Sequence, residues 1–298
     1  MPDTLSIVGA GRVARALGRR LQESGWKIGA VAARSEASAR RAVRFIGAGA
    51  ALSNISRGIL ATQVILVAVP DDAIAGVAAE LARVGAEELR RKVVLHTSGA
   101  LDSNVLQPLR EFGAVVASMH PLQTFSGVRV PPLEGKTFAI EGDRLAVRTA
   151  RKIVRTLGGA PARIDPRNKL LYHAAGTIAA GHALTVVESA TQLLMAVGMK
   201  RGEAMRALLP MTRQVLENYE HLGPRAAWTG PLSRGDHGVV AAHSAALGKV
   251  SPQFREAYDA MNRLALHVLS LRSAKPIESP EKVLGHAKAK AKTTGGSE

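Results

Sequence analysis

LSIVGAGRVARALGRRL, residues 5–21, decides the fold. An apolar run leads into Gly9 and Gly11, and an amphipathic helix follows with Val13, Leu17 and Leu21 along one side. Gly9, Gly11 and Ala14 have the GxGxxA spacing of a dinucleotide-binding turn. Each has a physical task there. Gly9 permits the tight turn, Gly11 lets the backbone approach a pyrophosphate, and the small Ala14 lets helix and strand pack closely. Ala10, Arg12 and Val13 complete a loop whose helix tip offers free N–H groups and a positive dipole end to phosphates.

The next strand selects the dinucleotide. KIGAVAARS, residues 27–35, ends on Arg34 and Ser35, where an NAD-preferring site carries an acid for the ribose hydroxyl. A guanidinium pairs with a 2′-phosphate and stacks on adenine, so NADP is expected ahead of NAD, with Arg40 and Arg41 close by. Two later strand ends belong to the same crevice, because ligands of open α/β sheets lie beyond the carboxyl ends of the strands. One is VAVPD at 67–71, with Val69 and Pro70; the other is HTSG at 96–99, with Thr97 and Ser98. Those two hydroxyls either face the nicotinamide or cap a turn.

Working outward, β-rich runs alternate with helical ones up to residue 165. Strands are predicted at 5–9, 27–33, 63–69, 93–96, 115–119, 137–141 and 160–164. Helices are predicted between them at 13–24, 38–46, 72–84, 103–112 and 145–157, which makes an α/β Rossmann half with a doubly wound parallel sheet. The pattern changes at Asp165-Pro166, a cap followed by a residue suited to a first helical turn. Helices are then predicted at 166–198, 200–222, 236–247 and 252–270. In the last, capped by Ser251, the residues Phe254, Tyr258, Met261, Leu264 and Val268 form one apolar stripe. The expected domains are a cofactor-binding one over 1–165, an all-helical one over 166–273, and a flexible basic tail over 274–298.

Residues 170–187 carry no formal charge and are long enough to span a bilayer. Tyr172, His173, His182 and the abundance of Ala and Gly favour instead a central helix buried by its own domain or by a partner subunit.

Composition narrows the function classes. Hydrophobic residues make up 46% and charged residues 21%, enough apolar material for a globular core. Cysteine is absent, which excludes disulfides and thiolate metal sites and fits a reducing cytoplasm. The N-terminal residues lack the basic region and cleavage site of a secretory signal. The net charge is +16, but its 28 Arg and 12 Lys are spread over the whole chain. Aromatics are only 3%, leaving few platforms for base stacking, so nucleic-acid binding is disfavoured. A positive field that gathers an anionic cofactor and substrate is the better use of the charge.

Further motifs carry a resemblance. GAGRVA at 9–14, VAVPDD at 67–72, HTSGAL at 96–101 and SMHPLQTF at 118–125 are joined by KLLYHAAG at 169–176 and TGPLSRGD at 229–236. Over about residues 4–272 the sequence resembles the pyrroline-5-carboxylate reductase and 6-phosphogluconate dehydrogenase-like superfamily. Within it, the match is to a family of NADP oxidoreductases in which a Rossmann-like half precedes a helical domain of unknown function. The resemblance implies NADP chemistry, a 6-phosphogluconate-dehydrogenase-like helical domain and a homodimer formed through that domain. It implies no substrate.

Hydride transfer to a carbonyl or imine needs a proton donor near the heteroatom and a cation for any substrate carboxylate. Lys169 and His173 are four residues apart and share a helix face. Related hydroxyacid dehydrogenases pair such a Lys with an Asn, and here His173 takes the second place. Gly181 also stands where the resembling family often has an Asn. His120-Pro121 resembles an HP motif that borders the active site of prephenate dehydrogenases. Lys169, His173 and His120 are thus the candidate catalytic residues. Their bland alternatives are a surface charge, a hydrogen-bonded core histidine and hinge packing. Arg234 is a candidate clamp for a substrate anion, with Asp236 expected to cap the next helix; the two residues otherwise stabilise a loop. No residues have metal-ligand spacing and no GxSxG elbow is present. The expected activity is NADP-dependent oxidation or reduction of a small anionic imino, keto or hydroxy acid. The alternative is a non-catalytic NADP(H) sensor acting through its helical domain.

Overall fold

A computed structural model describes residues 3–127 and 129–269. The chain divides into two compact units, Met1–Ala183 and Leu184–Glu298.

The first unit is built on β1 (Thr4–Val8), α1 (Arg12–Glu23), β2 (Lys27–Ala32), α2 (Glu36–Ile46), β3 (Ala50–Leu52), β4 (Val64–Val67), α3 (Asp71–Gly85) and β5 (Val93–His96). It continues with α4 (Gln107–Arg110), β6 (Val115–Pro121), β7 (Thr137–Gly142), α5 (Arg144–Thr156) and β8 (Ala160–Arg163). The strands form one sheet in the order β3-β2-β1-β4-β5-β6-β7-β8.

Neighbouring strands are parallel except β6 and β7, which are antiparallel. A wholly parallel sheet was the expectation, and the loop from 122 to 136 explains the departure. A parallel return needs a crossover, usually a helix, and the described residues of this loop hold none. The crossover α5 then makes β8 parallel to β7. The short edge strand β3, preceded by the left-handed Gly47 and Gly49, has too few residues to show an apolar period. The segment read as one helix at 103–112 is a 3-10 turn, Ser103–Leu106, followed by the short α4.

Alternate strand residues feed two cores, one on each face of the sheet. Val64 and Leu66 of β4 join Leu5, Ile7, Leu17, Leu21 and Ile153 on one face. Ile65 and Val67 join Ile74, Ala78 and Leu81 of α3 on the other. Because helices cover both faces, these strands read as continuous apolar runs rather than alternating ones. Ala14 is fully buried, as the motif requires. The closest packing of α1 comes one turn later, where a Cβ on Gly18 would lie 2.8 Å from methyls of both Ile7 and Ile46.

After β8, the Asp165 carboxylate accepts from Arg167 N at 2.9 Å and caps the 3-10 turn Pro166–Asn168. Then come α6 (Lys169–Thr177) and a single π turn, Ile178–His182. The first compact unit runs through them to Ala183.

The second unit holds α7 (Ala183–Ala196), α8 (Arg201–Ala227), α9 (His237–Val250) and α10 (Pro252–Leu269). Gly223, at φ 78° and ψ 173°, breaks α8 just before Pro224, at the place where the sequence pattern ends that helix. Ser251 caps α10, accepting from Gln253 N at 3.2 Å. Asp236 makes no capping bond to α9, contrary to expectation, because its carboxylate pairs with Arg234.

Among the described residues of this unit only Thr191, Ala204 and Ala227 are buried. The α10 stripe stays open, with Met261 and Leu264 each 50% exposed. The helical run Pro166–Ala196 is long and apolar enough, by length and composition alone, to cross a membrane, and none of its apolar window is buried. Burial of this apolar window by its own chain, one of the two alternatives raised by the sequence, is therefore not observed among the described residues. The basic tail lies outside the described residues.

Candidate functional site

The β1–α1 turn sits where the strand order reverses, between β2 and β4, the switch point at which open α/β sheets bind ligands. Gly9 has φ +126° and donates its N–H to Ala32 O at 2.8 Å. A Cβ at Gly9 would run into the carbonyl oxygen of Ala68, so glycine is required twice over. Gly11 is the exposed N-cap of α1 and caps nothing with a side chain. A Cβ there would meet nothing within 4 Å, so open space lies against a first turn that contains no acidic residue. Ala10 and Val13 are half-buried, and Arg12 is exposed, with its stem beside Gly127.

Arg34 follows β2, exposed and with no hydrogen bond or ion pair among the described residues. Ser35 caps α2 by accepting from Ser38 N at 3.3 Å, so its hydroxyl already has a local task. Arg40 pairs with Glu36, and Arg41 donates to Ser38 Oγ at 3.0 Å. Val69 is half-buried beside Gly9, and Pro70 is the exposed N-cap residue of α3. Thr97 is half-buried, while Ser98 is 4% exposed. The Ser98 hydroxyl accepts from Ala100 N at 3.2 Å and Leu101 N at 2.9 Å, so it is a turn cap.

The carboxyl ends of β5 and β6 meet α6 in a second cluster. Lys169 is 1% exposed, and its Nζ donates to Ser98 O at 3.0 Å and to Ser118 Oγ at 2.5 Å. Burial lowers its pKa to about 8, opposed by the carboxylates of Glu141, Asp102 and Asp71. It is not a surface charge. Glu141 accepts from Ser103 N at 2.8 Å and Ser103 Oγ at 2.9 Å, and burial raises its pKa.

His96 closes β5 with Nδ1 accepting from Ser98 N and Nε2 set against Asp102 O, both at 3.2 Å. These partners select the neutral tautomer protonated on Nε2, and burial, with Lys169 nearby, brings the pKa to about 3.

His120, near the end of β6, lies with Nδ1 3.0 Å from the Tyr172 hydroxyl. The His120 and His173 rings meet edge to face with centroids 5.7 Å apart. Burial, then Lys169, then His173 lower the His120 pKa to about 4, so it is neutral at pH 7. Burial raises the Tyr172 pKa to about 12. Gly99 makes this approach feasible, since a Cβ there would stand 2.5 Å from His173 and 2.8 Å from His120 Nε2.

Lys169, His120 and His173 are thus brought together. Arg234 belongs to the other unit, where its guanidinium is 62% exposed and bonded to Asp236 at 3.0 Å. Gly181 lies in the π turn. Tyr172, Ser118 and Glu141 were not singled out from sequence. The helical offset of three from Lys169 to Tyr172 was the one available signal, because it sets Tyr172 near the same face. Chemically, the cluster joins a buried cation to a neutral imidazole–phenol pair at the carboxyl ends of interior strands, where open α/β sheets bind ligands.

Comparisons with known proteins agree with this architecture. A Rossmann-like domain model matches residues 3–121, and the model of a domain of unknown function, DUF2520, matches 136–265. No curated protein matches the sequence. Among solved structures, BF3122 of Bacteroides fragilis, provisionally named an NADP oxidoreductase, is 22% identical, with a TM-score of 0.73 over 88% of this chain and 97% of that one. TM1727 of Thermotoga maritima is 26% identical, with a TM-score of 0.67 over 89% and 98%. A reductive aminase of Aspergillus terreus, solved with NADPH and ethyl-5-oxohexanoate, is 17% identical, with a TM-score of 0.65 over 90% and 94%. By fold and by sequence, the chain joins a Rossmann-like domain to a domain of the DUF2520 family.

Proposed function

We propose that this protein is an NADP(H)-dependent oxidoreductase acting on a small anionic imino, keto or hydroxy acid. The observation that carries the reading is the Gly9–Ala14 turn. Its first glycine is irreplaceable, its second leaves open space at the tip of α1, and it stands at the switch point of the sheet. Such a tip holds a pyrophosphate through backbone N–H groups and the helix dipole. Arg34, which has no partner among the described residues, favours a 2′-phosphate, and hence NADP over NAD. Val69, Pro70 and Thr97, at the ends of β4 and β5, would flank the remainder of the dinucleotide. NADPH, when bound, supplies a hydride.

The chain's own residues supply charge and protons. Lys169 holds a positive charge behind the strand ends, which favours an anionic substrate. His120 and His173 border the same place. The structural relatives include a provisionally named NADP oxidoreductase and an NADPH-bound reductive aminase, in keeping with this reading.

The helical unit completes the proposal. Leu184, Leu216, Leu222 and Leu264 expose half or more of their surface, on α7, α8 and α10. A second copy of the chain is the partner that suits a surface both apolar and studded with charges.

Calorimetry with NADPH, NADP+ and NADH tests the cofactor, with the first two expected to bind and NADH to bind more weakly. Loss of NADPH absorbance with pyruvate, 2-oxoglutarate or 1-pyrroline-2-carboxylate tests the activity. Absence of any nucleotide binding would sink the proposal.

A further inference from the structure

We propose that Tyr172 delivers the substrate proton in this site and that His120 positions and reprotonates it. This rests on the reductase reading above.

The argument begins with Lys169, the obvious donor from sequence. Its ammonium is 1% exposed and already donates to Ser98 O and Ser118 Oγ. Such a group supplies a fixed field but is poorly placed to hand a proton to a ligand. One helical turn further on, Tyr172 is only half-buried, and its hydroxyl lies 3.0 Å from His120 Nδ1. The two rings meet edge to face at 5.5 Å and 89°, a defined geometry rather than a passing contact. Gly99 leaves room for His120 and His173 to close on the strand end.

Protonation states fit the task. With a pKa of about 12, Tyr172 keeps its proton at neutral pH. With a pKa of about 4, His120 is a neutral imidazole that carries one proton. When that proton is on Nδ1, it is donated to the Tyr172 oxygen and leaves the phenol hydrogen free to point elsewhere.

The step then balances. As a hydride reaches the substrate carbon, the C=O or C=N electron pair moves onto the heteroatom. That atom takes the phenol proton of Tyr172. The phenolate takes the Nδ1 proton of His120, while Nε2 takes one from water. The imidazole is neutral before and after, and one solvent proton is consumed. An alkoxide is a stronger base than this phenolate, so the transfer runs downhill.

The test uses the full chain with Tyr172→Phe, His120→Phe and His120→Asn, reading NADPH-dependent reduction of pyruvate and 1-pyrroline-2-carboxylate. Y172F should lower kcat by about a hundredfold or more while NADPH affinity is unchanged. H120F should also lower kcat, and H120N should recover part of it, because the asparagine amide can occupy the position of Nδ1. A second readout needs no turnover. The ultraviolet difference titration of wild type against Y172F should reveal one phenol ionising near pH 12, displaced in H120F.

Wild-type kcat in Y172F overturns the donor role, and a Tyr172 titration indifferent to H120F overturns its coupling to His120. An H120N enzyme no better than H120F overturns the positioning role of His120. A wild-type enzyme that reduces nothing while binding NADPH overturns the reductase reading, and the donor role with it.

Discussion

In the first unit Leu5, Ile7, Ile65, Leu66 and Val94 are wholly excluded from water, whereas in the second Leu216 and Leu222 are more than half exposed. Both regions are apolar in composition, yet among the described residues only one completes a core. A sheet with helices on both faces closes around its own side chains. Helices without a further layer leave a face uncovered, whatever their sequence periodicity. The difference teaches that an amphipathic pattern states which side of a helix seeks burial, but not which molecule provides it.

The strongest way to break the comparison is to place the same charge in both regions. Leu66→Asp, in the middle of β4, should cost more than about 4 kcal/mol and unfold the first unit, since a carboxylate there has no partner. Leu216→Asp, on α8, should change the stability of an isolated chain by less than about 0.5 kcal/mol. Its effect should appear as a smaller species in light scattering after size exclusion. If urea melts show both variants equally destabilised, the contrast fails.

Acid should next loosen the sheet unit, which contains the buried His96 and the half-buried His120. His96 and His120 have folded pKa values of about 3 and about 4, below the ordinary 6.5. The unfolded chain therefore binds more protons below pH 6.5, so stability falls as pH drops from 6.5 towards 3. The cost is about 1.4 kcal/mol for each pH unit between the folded and unfolded values, several kcal/mol for His96 alone. Urea melts across this range should show the loss, and His96→Gln should flatten it.

A smaller change tests the turn itself. Gly9→Ala should destabilise the protein by about 1–3 kcal/mol through strain at positive φ, and by more if the Ala68 carbonyl cannot yield. It should also abolish NADPH binding in calorimetry.

Arg34→Ala should be the mildest of the four. Thermal melts should be unchanged, because Arg34 supports no neighbour among the described residues. NADPH affinity should fall by about tenfold or more, as expected for loss of a charge-assisted hydrogen bond, and NADH affinity should hold.

Much of the sheet was legible because its signals are local. Gly9 and Gly11 announce a turn through backbone chemistry alone, and the runs at 63–69 and 93–96 are apolar enough to be buried strands. The candidate site was half legible. Lys169, His120 and His173 stood out by residue type, and the structure brings them together. Tyr172 did not, because a tyrosine in an apolar helix looks like packing until its hydroxyl is seen against His120 Nδ1. Ser98 and Ser35 read as ligand groups, yet their hydroxyls are occupied by local caps, an ambiguity inherent in short polar side chains.

Residue sequence by itself determined a phosphate-suited glycine turn, a βα succession, a change to all-helical structure near Asp165-Pro166, and a basic residue at Arg34 in place of an acid. These follow from backbone preferences and hydrophobic periods, which act over a few residues. Only the tertiary structure decided that β7 runs antiparallel, that Lys169 is a buried rather than a surface cation, and that His120 faces a phenol. Each of these depends on segments far apart in the chain meeting in space, and no local preference encodes which side chain waits at the other end.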